Sequence, residues 1–131
     1  VDSRPAGFSA RWLQDILRHR LGFAGAIFSD DLSMEAACFI DGQRVGFTEA
    51  ALAALTAGAD LAVLCNQSLV DGGEPIDALI DDLSRAVLQG DWTPSASSET
   101  RRLALLPAGA PMAWDDLMVS ERYMHALSLL P

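Results

Sequence analysis

The chain has 131 residues, of which 50% are hydrophobic and 21% charged; nine arginines, no lysine and eighteen acids leave a formal charge of −9. That balance excludes the basic face on which nucleic-acid binding depends, and the missing lysine excludes a Schiff base, a phosphate-loop lysine or a lysine general base. No apolar run approaches the roughly 20 residues needed to cross a bilayer, and Cys38 and Cys65 lie far apart in no metal-like spacing, a usage that fits a reducing compartment.

Residues 1–8 read as a loop broken by Pro5 and Gly7. Ser9 suits a helix N-cap, and Trp12, Leu13, Ile16, Leu17 and Leu21 recur at helical spacing, predicting an amphipathic helix over 10–20 that stops at Gly22. Residues 25–29 form an apolar run without polar alternation, the pattern of a strand buried on both faces of a parallel sheet. It ends in Asp30-Asp31, and 32–46 read as a loop with a short helical piece. An alanine-rich helix follows over about 47–57, closed by Gly58, and then a second buried strand over 61–65, with Cys65 as a small buried hydrophobe. The loop 66–74 leads to Pro75, placed for the first turn of a third helix. Ile76, Leu79, Ile80, Leu83, Val87 and Leu88 form its apolar face and Gly90 its stop. Residues 91–98 read as a linker, with two further helices expected over about 98–106 and 114–129.

Alternating strands and helices predict an α/β fold with parallel strands. Two parallel strands make a poor domain by themselves, since their edges stay open and their apolar faces need cover. A full (β/α)8 barrel takes about 250 residues. The expectation is therefore a piece of a larger assembly.

The sharpest chemical feature is an acid at the carboxyl end of a buried parallel strand, where α/β enzymes keep their chemistry. A strand holds such a carboxylate rigidly while the following loop opens on a cleft. Spacing alone leaves a structural alternative standing, because either Asp30 or Asp31 is also suited to cap the next turn.

The stretch Gly22-Phe23-Ala24-Gly25, then a strand, then Phe28-Ser29-Asp30-Asp31-Leu32-Ser33-Met34 resembles the nucleophile motif of bacterial β-N-acetylhexosaminidases of glycoside hydrolase family 3, those of cell-wall recycling. Pro5-Ala6-Gly7-Phe8-Ser9 with Trp12-Leu13, Ala57-Gly58-Ala59-Asp60 with Leu64-Cys65-Asn66, and Arg101-Arg102-Leu103 with the Trp114–Ser120 region resemble flanking segments of the same family in the same order. The resemblance implies that the chain is the C-terminal portion of a (β/α)8 barrel: residues 1–90 carry the last two strand–helix units, and 91–131 are a linker and helical tail packing on the barrel. It implies a retaining hydrolase without cofactor or metal that removes terminal β-linked N-acetylglucosamine from muropeptides in the cytoplasm, with the missing N-terminal part of the barrel as its structural partner.

The resemblance also assigns roles. Asp30 is the implied nucleophile. From their positions, Met34 one turn past Asp30 and Asn66 just after the second strand at the same end are candidate substrate contacts, against the alternatives that Met34 fills core and that Asn66 holds loop backbone, the latter being the favoured role for Asn66. Asp31 caps or orients the loop rather than touching sugar, and Glu35 is loop structure. The family's acid/base histidine belongs to a Lys-His-Phe-Pro-Gly-His motif that this chain lacks; His19 and His125 are poor substitutes, so the chain alone is expected to be inactive. Ala36 stands where the family usually has glycine, and 38–47 lack some of its usual residues, which bears on loop shape. Two rival readings remain: an acidic-pair phosphoryl-transfer domain, disfavoured by the absence of lysine, and a non-catalytic partner-binding fragment favoured by open strand edges.

Overall fold

A computed structural model describes residues 2–130. The chain is a small α/β unit in which two parallel strands, β1 (Phe28–Asp31) and β4 (Leu61–Val63), lie side by side, and a separate antiparallel pair, β2 (Phe39–Ile40) and β3 (Gln43–Arg44), forms a hairpin. Helix α1 (Phe47–Ala57) connects β3 to β4, and α2 (Glu74–Gln89) follows β4.

The leading helix spans Arg11–Arg20 and is wound with π-type pairing. Ser9 caps it as expected, its Oγ accepting from Trp12 N–H at 3.2 Å. Its apolar face is narrower than its periodicity suggests: Leu13 is buried, but Leu21 is 68% exposed. Helix α1 is built for close approach. Ala50, Ala51, Ala54 and Ala57 are buried along one side and join Phe8, Leu13, Ile27, Leu32, Ala37, Ala59 and Leu79 in the core. Glu49 accepts the Gly46 N–H at 3.0 Å at its amino end. At its carboxyl end Gly58 has φ +119°, and a β-carbon there would meet Gln14 Nε2 at 1.8 Å. Only glycine fits that crossing.

Several predicted boundaries move. The first strand runs over 28–31 rather than 25–29, so Asp30 and Asp31 lie within it, and it is not buried on both faces: Phe28 is 54% exposed. The ladder begins late because Ile27 O accepts from Asp60 N and Leu61 N (2.7 and 3.2 Å), which fixes where β4 can start. β4 itself ends at Val63, two residues earlier than expected, and Cys65 is half-buried. The loop after β1 contains the unpredicted β2–β3 hairpin, turned by Asp41 (φ 51°) and Gly42 (φ 79°), a two-residue turn with both central φ positive. On α2, Leu79 is buried and Pro75 lies in the first turn, but Ile80, Val87 and Leu88 are exposed. The linker is shorter than predicted, since α3 covers Ala96–Leu103. The last predicted helix is two, α4 (Trp114–Met118) and α5 (Glu121–Ser128), divided where Ser120 Oγ accepts from Tyr123 N–H.

One buried carboxylate ties these pieces together. Asp60, whose side chain is 0% exposed, accepts from Arg18 of the leading helix at 2.6 Å, from Ile27 N–H at 2.8 Å and from Arg101 of α3 through Nε at 3.1 Å and a terminal nitrogen at 2.7 Å. Burial opposes its ionisation, but the Arg101 and Ile27 donors outweigh burial and hold its pKa at about 2, below the ordinary 3.8.

Because the folded value lies below the unfolded one, this stabilisation is complete above the ordinary carboxylate range and is lost as pH falls toward 2. It amounts to about 2 kcal/mol. Urea midpoints measured between pH 7 and pH 2 are expected to fall across that lower window, and Asp60→Asn, costing about 3 kcal/mol at neutral pH, is expected to flatten the fall. Equal pH slopes in parent and variant would show that Asp60 does not carry it.

Candidate active site

The carboxyl end of the parallel pair is irregular, and the irregularity places Asp30. Phe28 pairs with Leu61 and Asp31 with Val63, so β1 spends two intervening residues where β4 spends one. This bulge turns the strand and re-aims a side chain, a device common beside active sites. Asp30 lies in it, exposed. Its Oδ1 accepts the Asp31 N–H at 2.8 Å. Its Oδ2 accepts no hydrogen bond among the described residues and is free to meet a ligand.

The neighbours of Asp30 are committed. Ser29 Oγ accepts from Val63 N–H at 2.8 Å and donates to the Asp30 carbonyl at 2.7 Å. Asp31 Oδ1 accepts from Cys65 N–H and Ser33 N–H, both at 2.9 Å, and its Oδ2 accepts from Ser33 Oγ at 2.7 Å. The Ser33 hydroxyl and then the Cys65 N–H hold the Asp31 carboxyl below the usual carboxylate range. Asp31 thus orients the loop, as expected of it.

Asp30 opens on a cavity of about 220 Å3 walled by the Pro5–Phe8 turn, by Ser29–Leu32, and by Met34, Ala36 and Ala37. The Pro5–Phe8 wall is anchored on both sides: Phe8 is buried in the core, and Arg4 forms a two-pronged ion pair with Asp41 of the hairpin turn (3.2 and 2.7 Å). Met34 lines this cavity and is 47% exposed, so it does not fill the core of this chain. Asn66 follows β4 at the same end, exposed and with left-handed backbone (φ 60°), but outside the cavity lining. The structure therefore brings Asp30 and Met34 together and leaves Asn66 apart. Glu35 opens a helical turn, Glu35–Cys38, on the exposed side. His19 and His125 are exposed and away from this cavity.

A larger cavity, about 880 Å3, lies at the opposite end of the strands between the leading helix and the 92–102 segment. The one carboxylate in its lining is Asp60, already committed to Arg18 and Arg101. Chemistry in strand–helix barrels belongs to the carboxyl ends of strands, and Asp30 is at that end.

The chain matches the glycosyl hydrolase family 3 N-terminal domain over residues 1–103. It belongs to glycosyl hydrolase family 3. Among curated relatives it is 43% identical to a beta-hexosaminidase of Bordetella avium over 96% of its own length and 31% of the relative's. It is 42% identical to a beta-hexosaminidase of Methylobacillus flagellatus, over 97% and 32% respectively. The chain thus spans about a third of the length of the curated relatives it matches. Among solved structures it is similar to NagZ from Neisseria gonorrhoeae in complex with N-trifluoroacetyl-D-glucosamine, with a TM-score of 0.63, 32% identity, and coverage of 98% of this chain and 32% of that one. A family 3 beta-N-acetylglucosaminidase from Paenibacillus aligns with a TM-score of 0.65 at 27% identity, over 95% of this chain and 24% of that one.

Sequence reasoning passed over the Ser29 hydroxyl and the Pro5–Phe8 wall. The signal for the first was a serine inside an otherwise apolar strand, where a hydroxyl needs a partner.

Cys38 and Cys65 are free thiols. Burial first, then the negative charges of Asp31 and Asp30, push the Cys65 thiol above its ordinary 9.0. Iodoacetamide labelling of a Cys38→Ser variant is expected to reach half-maximal rate above pH 9.0, and Asp31→Asn is expected to lower that midpoint. A midpoint below 9.0 in the parent would show that the two carboxylates do not face this thiol.

Proposed function

We propose that this chain carries the nucleophile of a retaining β-N-acetylhexosaminidase and that the nucleophile is Asp30. The observation that supports it most is the contrast at the carboxyl end of β1: Asp31 is fully engaged by protein donors, whereas Asp30 presents a free Oδ2 to a walled cavity. The names of its relatives and structural neighbours supply the substrate class.

On this reading Asp30 Oδ2 attacks the anomeric carbon of a terminal β-linked N-acetylglucosamine. The carbon–oxygen bond to the leaving sugar breaks as an acid elsewhere in the protein protonates that oxygen. Water, deprotonated by the same group, then attacks the anomeric carbon and frees Asp30, with overall retention. Met34 packs against the sugar from the same cavity. Asn66, just past the end of β4, lies at the same end of the strands as Asp30 and is the second candidate contact. The natural substrates on this reading are muropeptides, and the compartment is the cytoplasm, where free thiols persist.

The same reading makes this chain the C-terminal portion of a (β/α)8 barrel, with β1 and β4 as its last two strands, 1–90 within the barrel and 91–131 as a linker and tail packed on it. The exposure of Phe28 and Leu88 fits strand and helix faces that further barrel units cover. The acid/base group comes from the rest of that barrel, so the 131-residue chain alone is inactive. The partner-binding alternative draws on the same open edges but leaves the free carboxylate in its cavity without a role.

In the complete gene product carrying this chain, Asp30→Asn is expected to lower kcat on 4-nitrophenyl N-acetyl-β-D-glucosaminide by at least ~1,000-fold, about 4 kcal/mol, with the far-ultraviolet circular dichroism unchanged. Retained turnover in a folded variant would remove Asp30 from the chemistry. The isolated 131-residue chain is expected to show no release of nitrophenol above the uncatalysed rate, and substantial turnover by it would overturn the reliance on an outside acid.

A further inference from the structure

We propose that Ser29 and Asp31 are positioning residues that hold Asp30 in its attacking orientation by tying the bulged strand to the partner segment on either side of it. The proposal rests on the reading of Asp30 as nucleophile. β1 has one residue more than β4 between the paired positions, so the backbone ladder cannot continue in register past Phe28 and Leu61. Two N–H groups on the partner side bear on the bulge: that of Val63, which the strand pairing sets opposite Asp31, and that of Cys65, two residues past the end of β4, which has no backbone partner among the described residues. Buried or half-buried amides of that kind are costly to leave unpaired.

Both are taken by side chains that flank Asp30 in sequence. Ser29 Oγ accepts from Val63 N–H at 2.8 Å and Asp31 Oδ1 accepts from Cys65 N–H at 2.9 Å. The Leu32 N–H returns to Val63 O at 2.8 Å, and backbone pairing resumes. The strand is thus pinned immediately before and after the nucleophile, and only its middle residue is left free. Ser29 adds a second restraint, donating to the Asp30 carbonyl at 2.7 Å and so fixing the plane of the peptide that follows the nucleophile. Ser33 steadies Asp31 through two bonds, at 2.9 Å from its N–H and 2.7 Å from its hydroxyl.

What is needed from Asp31 is acceptor geometry rather than charge. Asparagine can reproduce it, with Oδ1 accepting from Cys65 and Ser33 N–H groups and Nδ2 donating to the Ser33 hydroxyl oxygen. Alanine cannot. A displacement of about 1 Å at a reacting atom is worth about 100-fold in rate, so the effect belongs in kcat.

The test uses the complete gene product and 4-nitrophenyl N-acetyl-β-D-glucosaminide, with Asp30→Asn as the reference. Ser29→Ala and Asp31→Ala are expected to lower kcat about 100-fold while KM changes by less than about threefold, and Asp31→Asn is expected to recover most of the loss. Ser33→Ala, which deletes a single supporting bond, is expected to lower kcat about tenfold and decides the matter should Asp31→Ala fail to fold. If Asp30→Asn abolishes turnover but Ser29→Ala and Ser33→Ala leave kcat unchanged, positioning is wrong and the nucleophile reading stands. If Asp31→Asn is as damaging as Asp31→Ala, the charge of Asp31 acts directly and the proposal is overturned. If Asp30→Asn keeps full activity, the nucleophile reading itself falls, and this proposal with it.

Discussion

The arrangement depends on a carboxylate that no water reaches. Asp60 stands just before β4, and its two oxygens gather Arg18 from the leading helix, the Ile27 N–H from the approach to β1, and Arg101 from α3. A charge taken wholly out of water is expensive, and the cost is met only when donors surround it with good geometry. Here the two guanidiniums and one amide do so, and the consequence is registration. The start of β1 cannot slide against the start of β4 while Ile27 donates to Asp60 and accepts from Asp60 and Leu61. Removing either arginine leaves a buried carboxylate short of partners, which costs more than the pair contributes when intact. The clamp also explains why α3 lies where it does, since the remainder of that helix has no buried residue to hold it.

Three aspartates of this chain show how surroundings divide one side-chain chemistry into separate roles. Asp60 is saturated and buried, and it organises the amino ends of the strands. Asp31 is half-buried and saturated by Ser33 and Cys65, and it organises the carboxyl ends. Asp30, between Asp31 and Ser29, is exposed and keeps one oxygen unengaged. A nucleophilic carboxylate needs an oxygen that is not already accepting strong hydrogen bonds, because each such bond would have to be broken on attack. Of the three, only Asp30 meets that condition. On the reading of Asp30 as nucleophile, stability and reactivity fall at opposite ends of one short parallel pair, the division expected of strand–helix barrels.

Much of the element order was legible because punctuation residues do local work. Gly22, Gly58 and Gly90 stop their helices with φ of +69°, +119° and +80°, Pro75 sits in the first turn of α2, and α1 spans the residues its alanine pattern marks. The apolar run 25–29 misled because hydrophobicity reports burial, whereas strand assignment reports ladder pairing, and the pairing waits for Asp60 and Leu61. The hairpin was readable from Asp41-Gly42 and was passed over because no alternation flanks it. Ser120 is a good cap inside what looked like a continuous apolar pattern, so it divides the last helix. The Asp60 clamp was not legible at all, since Arg18 and Arg101 lie 42 and 41 residues away in opposite directions and meet only after folding. At the site, the resemblance singled out Asp30 and Met34, which share a cavity, while the supporting bonds of Ser29 and Asp31 needed the bulge to be seen.

The same bulge bears on why the strand's sequence is mixed. A strand of a fully enclosed parallel sheet is expected to be apolar throughout, yet β1 reads Phe-Ser-Asp-Asp. Three of its four residues carry polar side chains, and two of them spend those side chains on the backbone amides of Val63 and Cys65. Polar residues there do not contradict burial; two of them bind amides of the partner segment where regular pairing loses register, and the third faces outward. Replacing Ser29 or Asp31 by valine would improve the strand by propensity and hydrophobicity and still lose the side-chain bond to the Val63 or the Cys65 amide. Composition at this end of β1 is therefore set by hydrogen-bond satisfaction around a deliberate break in the sheet, and the break is what gives Asp30 its open face.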